Sequence, residues 1–85
     1  MAFDMLYFAW VREAIGTGAE RIDPPGDVTT VDGLIGWLAT KSDGHAAAFA
    51  DRSRLRAAID QRFVPLDAAL GMPREVAIFP PVTGG

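Results

Sequence analysis

The 85-residue chain contains no cysteine and a single histidine, His45. Without cysteine there are no disulfides, thiolate nucleophiles or zinc–thiolate sites, and a single histidine argues against a His-based metal cluster or a catalytic triad. No metal site is expected. His45 itself, in "KSDGHAAA", reads as a solvated loop histidine. Positive charge is also scarce: eight Lys and Arg stand against eleven Asp and Glu, a formal net charge of −3. The chain therefore lacks the basic field that drives phosphate binding, and nucleic acid is excluded as an expected partner. No apolar run approaches the roughly 20 residues of a membrane span. The longest, "MLYFAWV", lies between Asp4 and Arg12, follows no basic flank and leads to no small-residue cleavage site. No membrane partner and a cytoplasmic location are the expectation.

What is present suits one small domain, since 85 residues are too few for two independent cores and 49% of them are hydrophobic. No repeat or low-complexity block interrupts it, and "GTGA" and "DPPGD" punctuate it as loops. "AFDMLYFAW" alternates as a strand, with Phe3, Met5, Tyr7 and Ala9 on one face and Asp4, Leu6, Phe8 and Trp10 on the other. "AERID" reads as a second strand, joined to the first through "VREAIGTG" as an antiparallel neighbour. Thr30 caps a helix whose apolar stripe is Val31, Leu34, Ile35 and Leu38, with Trp37 half-buried. "HAAAFADR" suggests a short helical piece. "RLRAAID" and "RFVPL" suggest two strands about a turn at residues 60–62, and "REVAIF" a last strand.

That order predicts an α+β domain of β-grasp type, a mixed sheet covered on one face by one main helix, over residues 1–79, with 80–85 as an extended tail. In the last strand Val76 and Ile78 share one face, while Phe79 has the parity of Glu75 and Ala77 and so points outward. Phe8 shares the parity of Asp4. Two outward phenylalanines imply a partner surface, the other reading being that both rings lie in the core or under a loop.

The segment "FPPVTGG", Phe79 to Gly85, carries the chemistry-bearing end. Pro80 and Pro81 have no N–H and a locked φ, so pairing must stop there and the chain must leave the sheet extended; Val82 and Thr83 favour extension too. At about 3.3 Å per residue the six residues reach roughly 20 Å, enough to enter another protein's active site. Gly84 and Gly85 suit a channel too narrow for a Cβ. The reactive group at the tip is the Gly85 α-carboxylate, ionised at neutral pH and a poor electrophile until activated. An acyl-adenylate followed by a sulfur nucleophile would convert it to a thiocarboxylate with no cysteine in the chain.

At this point the sequence resembles a known family, the ubiquitin-like sulfur carriers that form the small subunit of molybdopterin synthase. "LYFAWVREAIG", "TTVDGLIGWLA", "AAIDQRFV" and "EVAIFPPVTGG" match the family pattern in order and spacing. The resemblance implies a β-grasp fold and ATP-dependent adenylation of Gly85 by a partner related to ubiquitin-activating enzymes. It also implies conversion to a thiocarboxylate with a sulfur donor protein, then insertion of the tail (Pro80, Pro81, Val82, Thr83 and Gly84) into the large synthase subunit. Sulfur would pass there to cyclic pyranopterin monophosphate, two carriers per pterin, and this chain would bind no cofactor of its own. Phe8, Phe63 and Phe79 correspond to apolar positions that dock the large subunit, and Arg12 to a basic position that adds a polar contact or is merely solvated. The chain departs from the family in having "GMPRE" for an acidic glycine turn before the last strand, and Asp60 where asparagine is common. A sulfur carrier for thiamine or another thiolated product, a protein modifier, and a non-catalytic β-grasp binding module are the alternatives.

Overall fold

The computed structural model describes residues 1–81. Alternating apolar residues in Phe3–Tyr7 form strand β1, and its Phe3, Met5 and Tyr7 are buried. The chain then turns into a short helix α1, Ala9–Ile15, and returns as β2, Ala19–Ile22, antiparallel to β1 with Phe3 opposite Ile22. The main helix α2, Val31–Leu38, starts where the Thr30 hydroxyl accepts the Gly33 N–H at 3.0 Å. A second short helix α3, Asp43–Ala48, and a single 3-10 turn at Arg52–Arg54 precede β3, Arg56–Ile59. Strands β4, Arg62–Val64, and β5, Glu75–Phe79, complete the sheet.

The strand order is β2-β1-β5-β3-β4, with β1 parallel to β5 and the other neighbours antiparallel. The mixed sheet of the sequence reading is thus observed. Its inner face buries Phe3, Met5, Tyr7, Ala57, Val76 and Ile78 in one cluster with the α2 stripe Val31, Leu34, Ile35 and Leu38, and with Val11, Phe49 and Leu55. Burial of such side chains, at about 1.5–3 kcal/mol each, is what holds an eight-residue helix that contains two glycines.

Two kinds of local reading are corrected, the bounds of strands and the place of His45. The first strand does not run to Trp10; it ends at Tyr7, and the connection to β2 through "VREAIGTG" begins as a helix. Ala9, placed by alternation on the core face, is exposed at φ 54° as the first residue of α1. The helix closes on Gly16, whose φ of 97° is the left-handed conformation glycine adopts freely, and whose N–H donates to the Arg12 carbonyl at 2.8 Å. "RLRAAID" also begins as a strand only at Arg56.

His45 is the second correction. It is 7% exposed, in α3, and not a solvated loop residue. Its Nε2 lies 2.7 Å from Glu20 Oε2 and its Nδ1 2.7 Å from Ser42 Oγ, so both ring nitrogens are satisfied. Helix α3 approaches α1 so closely that a Cβ on Gly44 would stand 2.4 Å from the Ala14 carbonyl oxygen.

Candidate functional site

The outer face of the sheet carries the side chains that the inner parity leaves over. On β5 these are Glu75, Ala77 and Phe79; on β3, Arg56 and Ala58, paired with Phe79 and Ala77 respectively; on β4, Phe63, paired with Ala58. Two small residues, Ala58 and Ala77, lie side by side in the middle, and large rings stand around them. The result is a shallow apolar groove of about 600 Å³ lined by Phe8, Ala9, Ala58, Gln61, Phe63, Ala77, Phe79, Pro80 and Pro81.

Each ring reaches the groove for a local reason. Phe8 follows β1 and is the residue before α1, extended at φ −132°, and is 48% exposed. Phe63 is 83% exposed on the three-residue edge strand β4. Its ring centroid is 5.7 Å from that of Phe79 at a tilt of 50°, within the range of favourable aromatic pairs. Pro80 and Pro81 extend the wall where β5 ends. The structure therefore brings Phe8, Phe63, Phe79, Pro80 and Pro81 to one surface. Arg12 is not part of it: its side chain lies against Gly18, with Cδ 3.3 Å from where a Cβ there would stand. Val82, Thr83, Gly84 and Gly85 lie outside the described residues.

Ala58, Ala77 and Gln61 were not singled out by sequence reasoning. Alanines in strands carry no signal of their own; only pairing shows that they form the floor. Gln61 reaches the rim because Asp60 and Gln61, at φ 49° and 70°, make the two-residue turn between β3 and β4.

None of the groove's lining residues is ionisable, so the groove can bind an apolar surface but supplies no acid, base or nucleophile. Titratable groups shifted from their ordinary values lie elsewhere, two of them in a hydrogen-bonded chain on the inner face. Tyr7 donates its hydroxyl to Glu20 Oε2 at 2.7 Å, the same oxygen that His45 approaches. Burial works to raise the Glu20 carboxyl, but the hydrogen bonds from His45 and Tyr7 and the charges of His45 and Lys41 outweigh it and hold it below the usual range. Burial first, then the Glu20 bond and its charge, pushes the Tyr7 phenol upward. Ser42, His45 and Glu20 superficially resemble a nucleophile, base and acid. The serine is committed, however: its oxygen accepts the His45 N–H at 3.1 Å as the α3 cap, and the histidine is buried. The network is structural, tying β1, β2 and α3 together. Among the described residues no group of three or more His, Cys, Asp or Glu is placed to hold a metal, and no helix is long and apolar enough to cross a membrane.

Comparison with known proteins agrees with this arrangement. The ThiS family profile matches residues 5–85. The molybdopterin synthase sulfur carrier subunit of Escherichia coli is 44% identical over 81 residues, 95% of this chain and 96% of that protein. The protein of the same description from Haemophilus influenzae is 39% identical over 82 residues, 96% and 98% of the two chains. Among solved structures, SAMP1 from Haloferax volcanii superposes with a TM-score of 0.71 over 100% of both chains at 24% identity, which shows the shared fold. The chain belongs to the ThiS family, and its curated relatives are sulfur carrier subunits of molybdopterin synthase.

Proposed function

We propose that this protein is the sulfur-carrying small subunit of a molybdopterin synthase. The observation that carries the reading is the groove: an exposed apolar surface without ionisable groups, its end wall formed by Pro80 and Pro81, from which a glycine-tipped tail would leave. Such a surface suits docking on a partner that holds the chemistry, here the large synthase subunit, with Phe8, Phe63 and Phe79 buried on contact. The remaining tail, Val82 to Gly85, then runs into the partner's active site, Gly84 and Gly85 passing where a side chain would not fit.

With Gly85 as the carboxyl terminus, the reaction needs ATP and two further proteins. An adenylyltransferase of the ubiquitin-activating type attaches the carboxylate to AMP, releasing pyrophosphate. The terminal sulfur of a persulfide-bearing donor displaces AMP to form an acyl disulfide, and a second thiol of the donor or the activating protein cleaves that disulfide, leaving the thiocarboxylate on Gly85 and a disulfide between the two protein thiols. In the large subunit its sulfur bonds to a side-chain carbon of cyclic pyranopterin monophosphate as a C–O bond there breaks, the oxygen leaving on the opened phosphate or as water, and a second water then cleaves the acyl–sulfur bond to restore the Gly85 carboxylate. Two rounds, from two carriers, supply the two dithiolene sulfurs. Since activation consumes ATP, the cytoplasm is the compartment assigned. Arg12, apart from the groove, serves at most as a polar contact beyond its apolar part.

Reconstitution tests this reading. The chain, charged as the thiocarboxylate, is mixed with the large subunit and cyclic pyranopterin monophosphate. Formation of the dithiolene, with return of the carboxylate, is the expected result; a charged chain that forms no complex and releases no sulfur to the pterin would contradict it.

A further inference from the structure

Asp60 makes three backbone-directed bonds to one short stretch of chain. Its N–H donates to the Glu75 carbonyl at 3.1 Å, and its Oδ1 accepts the N–H groups of Arg74 at 2.9 Å and Glu75 at 3.0 Å. The cause is the left-handed backbone at φ 49°. With the chain turning into the hairpin at that residue, the carboxylate takes the N–H that an uninterrupted antiparallel ladder would give to a backbone carbonyl. Arg74 is held from its other side too, its carbonyl accepting the Asp4 N–H at 3.1 Å. The first residues of β5 are thus fixed to the tip of the β3–β4 hairpin and to β1 together.

That tip carries two groove residues. Gln61 is the next residue, at φ 70°, and Phe63 is two further on, on a strand of three residues with a single neighbour, β3. Phe63 has 83% of its surface in solvent, so packing does little to place it. What bonds the tip of its hairpin to the strand bearing Phe79, beyond the β3–β5 ladder, is the Asp60 clamp and a longer 3.4 Å contact from Gln61 Nε2 to Glu75 Oε1.

We propose that Asp60 is a positioning residue for partner docking: its carboxylate clamps the β3–β4 hairpin to the start of β5, and so presents Phe63 and Gln61 in register with Phe79. The inference rests on the docking role proposed for the groove. A rigid, pre-set aromatic pair loses less freedom on binding than a hairpin tip that must be ordered at contact.

The test compares Asp60→Gly with Asp60→Asn in the full chain, by calorimetric titration with the large synthase subunit and by thermal unfolding. Glycine removes the acceptor yet adopts the positive φ without strain, so the clamp is lost and the turn is kept. Asparagine keeps an acceptor oxygen and tolerates the same φ. Asp60→Gly is expected to weaken docking about tenfold or more while still unfolding cooperatively, and Asp60→Asn to stay within about threefold of the unmodified chain. In a Phe63→Ala background, Asp60→Gly should weaken docking by much less than it does alone, because the ring it positions is absent. A purely structural role would leave the two effects additive. Additive effects, or docking by Asp60→Gly at the unmodified affinity, would overturn the proposal. Phe79→Ala separates the two levels: if it weakens docking while Asp60→Gly does not, only the positioning role fails, and if it too is without effect, the docking role of the groove fails with it.

Discussion

Phe63 and Phe79 lie with ring centroids 5.7 Å apart, although their strands do not pair with each other. Strand β3 runs between them, and two strand spacings amount to about 9.5 Å. The rings meet because the residue beneath is Ala58, which pairs with Phe63 on one side and Ala77 on the other and is only 6% exposed under them. A small residue at the centre of the outer face is what lets two aromatic side chains make one surface.

Ala58→Leu should therefore separate the rings. Extra methylenes under two rings that have open solvent above them cost little folding stability, since the rings can lift. The docking surface is lost in lifting. Titration with the large subunit should show affinity reduced about tenfold or more, while the melting temperature changes by only a few degrees.

Phe79→Ala and Phe63→Ala should weaken the same complex. Burying each ring in a partner contributes about 1.5–3 kcal/mol, or roughly one to two decades in Kd. Phe63, largely in solvent before docking, should leave thermal stability almost unchanged when truncated. Unchanged affinity with a large loss of melting temperature would instead identify the rings as part of the fold's stabilising core.

How much of this was legible in the sequence depends on what each residue's environment is made of. The outward direction of Phe79 follows from two-residue periodicity on a five-residue strand with a charged neighbour of the same parity, Glu75. Phe63 gave no such reading, because β4 spans three residues, too few for alternation to declare a face. Helix α1 was hidden for a different reason. Its N-cap is Phe8, which makes no side-chain capping bond, and the run before it alternates as a strand, so nothing local marks the switch. His45 was misread because its charged partner, Glu20, lies 25 residues earlier, on a strand that only the tertiary fold brings beside α3. The turn chemistry of Asp60 was equally non-local, since the N–H groups it accepts belong to residues 74 and 75.

Gly44→Ala should destabilise the fold. The added Cβ would stand 2.4 Å from the Ala14 backbone oxygen, closer than any Cβ contact survives, so α1 and α3 must move apart. A loss of about 1–3 kcal/mol is expected in chemical denaturation.

The Tyr7–Glu20–His45 chain should shape stability at both ends of the pH range. Glu20 has a folded-state pKa lowered from its ordinary 4.5, so its contribution is fully present above that value and is lost as pH falls through the folded value. Tyr7 is raised from 10, so its contribution is present below pH 10 and is lost as pH climbs toward the folded value. Thermal unfolding across pH should show Glu20→Gln flattening the acid limb and Tyr7→Phe the alkaline limb. An acid limb of unchanged slope in Glu20→Gln would assign that dependence to other carboxylates.

Whether Gly85 carries sulfur can be read from the intact mass of the protein taken from cells making molybdopterin. A fraction of the chain should be heavier by the difference between one sulfur and one oxygen atom, with fragmentation placing the change on Gly85. That fraction should vanish on incubation with the large subunit and cyclic pyranopterin monophosphate. A chain found only in its unmodified mass in such cells, or molybdopterin made at the full rate by a chain whose terminal carboxylate is blocked, would contradict the claim.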